Sequence, residues 1–235
     1  MIKFNNGNPV IICDKCRTTI SKAVTYDGSE FKMANFCKDC AVYDNFDVIK
    51  DLLYFEPNSF YFCQVIQRKK DGNLIKDSVV IKSYYFHSLE EFLNSKEEIV
   101  DICTNYNARA YINLTLRNRS EVLALCIKEY ADMMVNKIPF SPLIFDHCCG
   151  VCGNSKTFLI DVDEDVDYNT LDELIQSCRG EGRILAEVPT PNGYHLITTK
   201  FDRGQFKQKL AIKGINGIDV KDNSPTLLYY DLSGK

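Results

Sequence analysis

Two β-prone runs, Arg183–Val188 and Tyr194–Thr199, are joined only by Pro189-Thr-Pro-Asn-Gly193. Five residues leave room for a tight reversal and none for a crossover helix, so the two runs must be antiparallel neighbours. Within that turn, Asn192 and Gly193 are the residues expected to supply positive φ. A second reversal, Lys70-Asp-Gly-Asn73, separates Ser59–Gln67 from Leu74–Phe86, two stretches rich in aromatic and β-branched residues. A chain with two such hairpins builds antiparallel sheet, which argues against the all-parallel α/β architectures.

Helical signals alternate with these strands. Phe46–Phe55 reads as a short helix stopped by Pro57, and Ser88-Leu-Glu-Glu91 is a capping box opening a helix toward Asn105. Ala108–Leu116 reads as a strand with Tyr111 and Asn113 on one face and Ile112 and Leu114 on the other. From Ser120 a helix carries Val122, Cys126, Tyr130 and Met133 as a core stripe, and residues 137–156 read as a loop. Thr170-Leu-Asp-Glu173 caps a helix with Leu171, Leu174, Ile175 and Cys178 on one face. A helix over Arg203–Ile212 leads to Gly217-Ile-Asp219 and a last strand, Thr226–Tyr230. The predicted fold is α+β, a mostly antiparallel sheet with flanking helices.

The cysteines add a second unit. Cys13-Asp-Lys-Cys16 and Cys37-Lys-Asp-Cys40 are two C-x₂-C pairs with twenty intervening residues, the spacing of a tetrahedral structural zinc site built from two facing knuckles. Such a site contributes on the order of 10 kcal/mol to a segment too short to fold alone. Residues 1–45 are therefore expected to form a zinc module and residues 46–235 the main domain. Cys63, Cys103, Cys126 and Cys178 lie among apolar neighbours and read as core. His147, Cys148, Cys149 and Cys152 suggest a second metal site, but they are too close in sequence to enclose an ion without a distant ligand. No run is long and apolar enough to cross a bilayer and the first residues lack a secretory pattern, so a cytoplasmic protein is expected.

Thr157-Phe-Leu-Ile-Asp161-Val-Asp163 ends an apolar run in two acids of alternating position. On a strand both project from one face, where they repel each other unless a cation or proton lies between, and oxygen-rich sites suit Mg²⁺ or Mn²⁺. Residues 161–173 hold seven acids and no base, so removing them from a formal net charge of −4 leaves the rest of the chain at +3. With the acidic cluster neutralised by metal, a mildly basic remainder is able to hold a phosphate backbone. Arg109, Arg117 and Arg119 bracket strand ends, and Arg68, Lys69 and Lys70 sit at a hairpin tip; solvated charge is the plainer reading of both groups.

Three motifs now follow in order: Ile160-Asp161-Val162-Asp163, Val188-Pro-Thr-Pro-Asn-Gly-Tyr-His195, and Gly217-Ile-Asp219. Their order and form resemble the archaeo-eukaryotic primase superfamily, most closely the primase-polymerase branch of plasmids and phages. That family carries a hydrophobic-Asp-x-Asp motif, a Ser/Thr-Pro-x-Gly-(Gly/Tyr)-His motif and a hydrophobic-Asp motif. The resemblance spans the part from about Arg109 onward, and its spacings are compact, with Asp161 and His195 34 positions apart and His195 and Asp219 24 apart.

The resemblance implies an RNA-recognition-like catalytic core in which Asp161, Asp163 and Asp219 hold two Mg²⁺ or Mn²⁺ ions. It implies that His195, with Asn192 and Gly193 in the same turn, meets the triphosphate of an incoming nucleotide. The expected function is DNA replication chemistry: a nucleotidyltransferase that makes or extends primers on a single-stranded DNA template from nucleoside triphosphates, serving a separate replicative helicase. The competing expectation is a non-catalytic zinc-containing adapter that binds nucleic acid or protein. A calcium loop at 161–172 is disfavoured because Val166 stands where that loop needs glycine, and a P-loop at Gly150–Thr157 lacks the glycine before Lys156.

Overall fold

The computed structural model describes residues 2–5, 8–12, 19–20, 24–26, 34–36, 41–69, 77–163, 166–180 and 182–232. Near the N-terminus, β1 (Ile2–Asn5), β2 (Asn8–Ile12) and β3 (Thr19–Ile20) form one small antiparallel sheet; β4 (Val24–Tyr26) and β5 (Ala34–Phe36) form another. Cys13, Cys16, Cys37 and Cys40, the expected zinc ligands, lie outside the described residues.

The main body is α+β and its sheets are antiparallel. A five-stranded sheet runs in the order β6 (Val42–Asp44), β14 (Pro225–Asp231), β9 (Arg109–Asn118), β7 (Ser59–Arg68), β8 (Ser78–Phe86). The boundary expected after residue 45 falls beyond β6, which is the edge strand of this sheet. A four-stranded sheet runs β11 (Ile184–Pro189), β12 (Tyr194–Thr199), β10 (Thr157–Val162), β13 (Ile218–Asp222). With α6 (Tyr168–Gln176) and α7 (Arg203–Lys213), it makes a βαββαβ unit in which β12 separates β10 from β11.

Alternation along the strands sorts the residues into layers. Phe158, Ile160, Val162, Leu196 and Val220 turn one face of the four-stranded sheet toward α6 and α7, where Leu171, Ile175 and Phe206 are fully buried. The opposite face sends Leu159, Val188 and Ile197 into the main core with Cys63, Val65, Ala110 and Ile112 of the five-stranded sheet. Short helices α1 (Phe46–Lys50), α2 (Leu89–Asn94) and α3 (Lys96–Asn105) close that core through Phe46, Ile49, Phe92 and Ile99. On the other side of the five-stranded sheet, α4 (Arg119–Val135) and α5 (Ile144–Val151) cover Phe60 and Phe62.

Several local expectations need correction. The helix opening at Phe46 stops at Lys50, because the next residues bond to β7 side chains instead: the Tyr54 amide donates to the Tyr61 hydroxyl at 3.2 Å and the Glu56 amide to Ser59 Oγ at 3.2 Å. Ser88 caps the Glu91 amide as expected, but the Glu91 carboxylate accepts from the His87 amide at 2.7 Å, and the helix breaks at Ser95, whose hydroxyl donates back to the Phe92 carbonyl at 2.8 Å. The cap before Leu171 is Asp167, accepting from the Thr170 amide at 2.9 Å, three residues earlier than expected.

Tyr130 of the α4 stripe is 39% exposed and meets Phe140, while Val122 and Cys126 are buried as expected. Residues 137–156 are not simply loop: Ile144, Cys148 and Cys149 are the buried stripe of α5, and His147 points outward. Among the described residues no three His, Cys, Asp or Glu side chains group as a metal site; Cys148 and Cys149 pack in the core instead. Arg117 is fully buried rather than solvated: its guanidinium donates to the carbonyls of Cys149 and Thr115 and to Asn223 Oδ1, at 2.6, 2.9 and 2.8 Å. Burial lowers its pKa to about 10.

Candidate functional site

The three motifs fall on adjacent strands. Asp161 on β10 pairs directly with His195 on β12 and, on its other side, with Asp219 on β13. Residues opposite one another in an antiparallel ladder point the same way, so Asp161, His195 and Asp219 share the face of the sheet turned away from α6 and α7. Asp163 lies one residue past the end of β10, its amide bonded to the Gly217 carbonyl at 3.4 Å. Lys221, two residues after Asp219, joins the same face.

These side chains open onto a cavity of about 290 Å³ that straddles the Pro225–Leu227 stretch of β14. Asp161, Asp163, His195 and Lys221 line it from the four-stranded sheet, Thr190, Pro191 and Asn192 from the turn, and Arg68, Arg109 and Tyr111 from the five-stranded sheet. Asp219 is exposed and does not line it. Another cavity of about 170 Å³ lies around Tyr54, Leu114 and Lys156, and its lining includes one acid, Glu56, and no histidine.

Within the first cavity the charges form a chain. Lys221 Nζ is 2.5 Å from Asp161 Oδ2, and His195 Nε2 is 3.3 Å from Asp161 Oδ1. The His195 hydrogen bond, followed by that of Lys221, holds the Asp161 carboxyl well below the usual carboxylate range, against the opposing effect of burial. On its other side, His195 Nδ1 lies 2.9 Å from the hydroxyl of Thr226, a fully buried residue of β14. The imidazole is therefore oriented from both nitrogens, by one group from each sheet.

The turn before His195 is fixed in place. The Gly193 amide bonds back to the Thr190 carbonyl at 3.4 Å and the Thr190 amide to the Gly193 carbonyl at 2.9 Å, with Pro191 at the position where its preset φ suits a turn. Neither Asn192 nor Gly193 has positive φ, contrary to expectation. Glycine is required at 193 for a different reason: a Cβ there would lie 1.9 Å from the Val162 carbonyl oxygen, so the turn packs directly on the backbone at the end of β10. Asn192 is exposed at the cavity rim. Asn45, 2% exposed, donates from Nδ2 to the carbonyls of Pro189 and Leu227 at 3.1 and 3.0 Å, tying the turn to β14.

Three carboxylates on one sheet face are a hard-oxygen donor set suited to Mg²⁺ or Mn²⁺. Asp161 and Asp219, directly opposite like charges, repel unless neutralised, and the ammonium of Lys221 stands on Asp161 as such a charge. The donor chemistry fits a divalent cation. Among the described residues, however, no three such side chains are gathered closely enough to hold an ion in this arrangement, and cation entry at Asp161 Oδ2 requires Lys221 to leave.

Lys221, Thr226 and Asn45 escaped the sequence reading. The alternation Ile218-Asp219-Val220-Lys221 would have placed Lys221 beside Asp219; Thr226 and Asn45 act across elements 31 and 144 residues from their partners, and the sequence carries no sign of them. Arg109, expected to be solvated, is buried to 7% exposure, with its guanidinium 4.1 Å from the centre of the Tyr230 ring. No family model matches the sequence, and no curated protein or solved structure matches it either.

Proposed function

We propose that this chain is a metal-dependent nucleotidyltransferase of the primase-polymerase kind, making or extending primers on a single-stranded DNA template. The observation that carries the reading is the register of β12, β10 and β13, which sets His195, Asp161 and Asp219 side by side on one face, next to a cavity that also holds Asp163. The βαββαβ order, with both helices behind the sheet, supports an RNA-recognition-like core. Asp161, Asp163 and Asp219 would hold the divalent ions. Bound there, they would supply activation of a 3′-hydroxyl and stabilisation of departing pyrophosphate.

The chain's own residues account for the rest. Arg68, Arg109, Lys221 and His195 bring positive or protonatable groups into one cavity with the acids, a mixture suited to a polyphosphate that arrives with cations. His195 is held by Thr226 at Nδ1, and its Nε2 would reach phosphate oxygens by leaving Asp161 Oδ1. Asn192 sits at the rim, and Gly193 serves by letting the turn approach β10. Cys13, Cys16, Cys37 and Cys40 are the proposed structural zinc ligands, and a replicative helicase is a partner only by the family resemblance.

The second reading, a non-catalytic adapter, is favoured by the engagement of both Asp161 oxygens by Lys221 and His195. Primer synthesis and extension on single-stranded DNA with Mg²⁺ or Mn²⁺ separates the two. Product is expected from the wild type and none from Asp161→Asn. His195→Ala should weaken nucleotide use by about 2 to 3 kcal/mol while leaving the fold intact. A wild-type protein that neither forms product nor binds nucleotide with Mn²⁺ present leaves the adapter.

A further inference from the structure

Among the described residues, one face of the five-stranded sheet is covered only in part. Phe60 and Phe62 lie under α4 and α5. Asp146 of α5 then closes this cover by accepting from Tyr85, from Ser83 at 2.5 Å and from Gln64 at 3.2 Å. The next outward residue on β7 is Ile66, directly opposite Arg109, and after it Arg68, directly opposite Ser78. Here a third cavity opens, about 260 Å³, lined by Ile66, Arg68, Ser78, Tyr111 and Pro225.

This groove shares Arg68, Tyr111 and Pro225 with the charged cavity. The two halves differ in chemistry. One holds Asp161, Asp163, His195, Lys221 and Arg109; the other offers Ile66, Pro225 and the Tyr111 ring, with the Ser78 hydroxyl at its edge. Arg68 stands at the junction, its Nη1 3.2 Å from the Tyr111 hydroxyl. A ligand that fills both halves is polyanionic at one end and flat and weakly polar at the other.

We propose that the Ile66–Tyr111 groove is the base-binding half of the site, taking the heterocycle of the same nucleoside triphosphate whose phosphates enter the charged cavity. The proposal rests on the nucleotidyltransferase reading for the phosphate half, and adds the place and the means of base recognition: stacking and apolar contact on a sheet face, tolerant of base identity because every base has a π-face. Arg68 marks the sugar-phosphate junction.

Calorimetric titrations of the full chain with a nucleoside triphosphate and with inorganic tripolyphosphate, both with Mn²⁺, test it. The nucleotide should bind about tenfold or more tighter than tripolyphosphate, since one stacked base contributes on that scale. Ile66→Ser, checked for an unchanged thermal transition, should remove most of that advantage and leave tripolyphosphate affinity within about twofold, and Tyr111→Leu should lower nucleotide affinity more than tripolyphosphate affinity whereas Tyr111→Phe, which keeps the ring, should not. Equal wild-type affinity for the two ligands overturns the base subsite while leaving the phosphate reading standing. Binding of neither removes the phosphate reading itself. If the variants lose single-stranded oligonucleotide binding and keep nucleotide binding, the groove holds a strand and the assignment to the incoming base is wrong.

Discussion

Asp161 carries the strongest electrostatic signature of the site, and its sign fixes a pH dependence. Its folded pKa lies below the unfolded value of about 3.9, so its contribution to stability is complete above that value and is lost as pH falls toward the folded one. Between about pH 5 and pH 3 the thermal transition of the wild type should therefore drop more steeply than that of Asp161→Asn, as differential scanning calorimetry would reveal. Parallel slopes would mean that His195 and Lys221 do not hold the carboxylate in solution. Lys221 makes a separate prediction. If its ammonium occupies the place of a metal charge, Lys221→Met should bind Mn²⁺ about fivefold more tightly than the wild type in the absence of nucleotide, read by electron paramagnetic resonance. Unchanged or weaker binding would assign the lysine some other role. The carboxylates and the histidine are legible because a strand's period of two fixes which residues share a face; Lys221 obeys the same rule, two positions after Asp219.

Among the elements, the turn between β11 and β12 governs the site's shape. Gly193→Ala should cost about 2 kcal/mol or more, since its Cβ would collide with backbone at the end of β10 and not with a flexible side chain. Asn45→Ala should cost about 1 to 3 kcal/mol by leaving the buried Leu227 carbonyl and the partly buried Pro189 carbonyl without their shared donor. Chemical denaturation measures both, and a Gly193→Ala protein as stable as the wild type would show that the turn stands farther from β10. The sequence announced this hairpin plainly, through proline and Asn-Gly between β-branched runs, but misassigned the reason for its glycine. Positive φ is a local property that sequence suggests; close approach of another strand is not. The same limit explains α5, where Ile144, Cys148 and Cys149 form a helical stripe that cysteine spacing made look like a metal motif. Arg117 was read as solvated for a related reason, because its acceptors come from three separate segments.

At the scale of the whole molecule, the α+β class and the antiparallel pairing followed from the hairpins, whereas the division into two sheets did not, because strand order depends on which faces meet. The paired C-x₂-C spacing makes one prediction for the N-terminal module: about one zinc per chain by elemental analysis, lost when Cys13 and Cys16 are both replaced by serine. Metal content indifferent to those replacements would remove the site. Strand order also couples the two sheets. β14 follows every other described strand, yet it is inserted between β6 and β9, and it delivers Thr226 to His195, the Leu227 carbonyl to Asn45 and Pro225 to the charged cavity and the Ile66–Tyr111 groove. Pairing of β12, β10 and β13 is enough to align Asp161, His195 and Asp219, but it is β14 that satisfies the facing edges of β6 and β9 and supplies the second hydrogen bond to the His195 ring. Steadying of the His195 ring therefore waits on a pairing in the other sheet: only when β14 lies between β6 and β9 does Thr226 reach Nδ1, so the order of one sheet sets the order of the other's charged face.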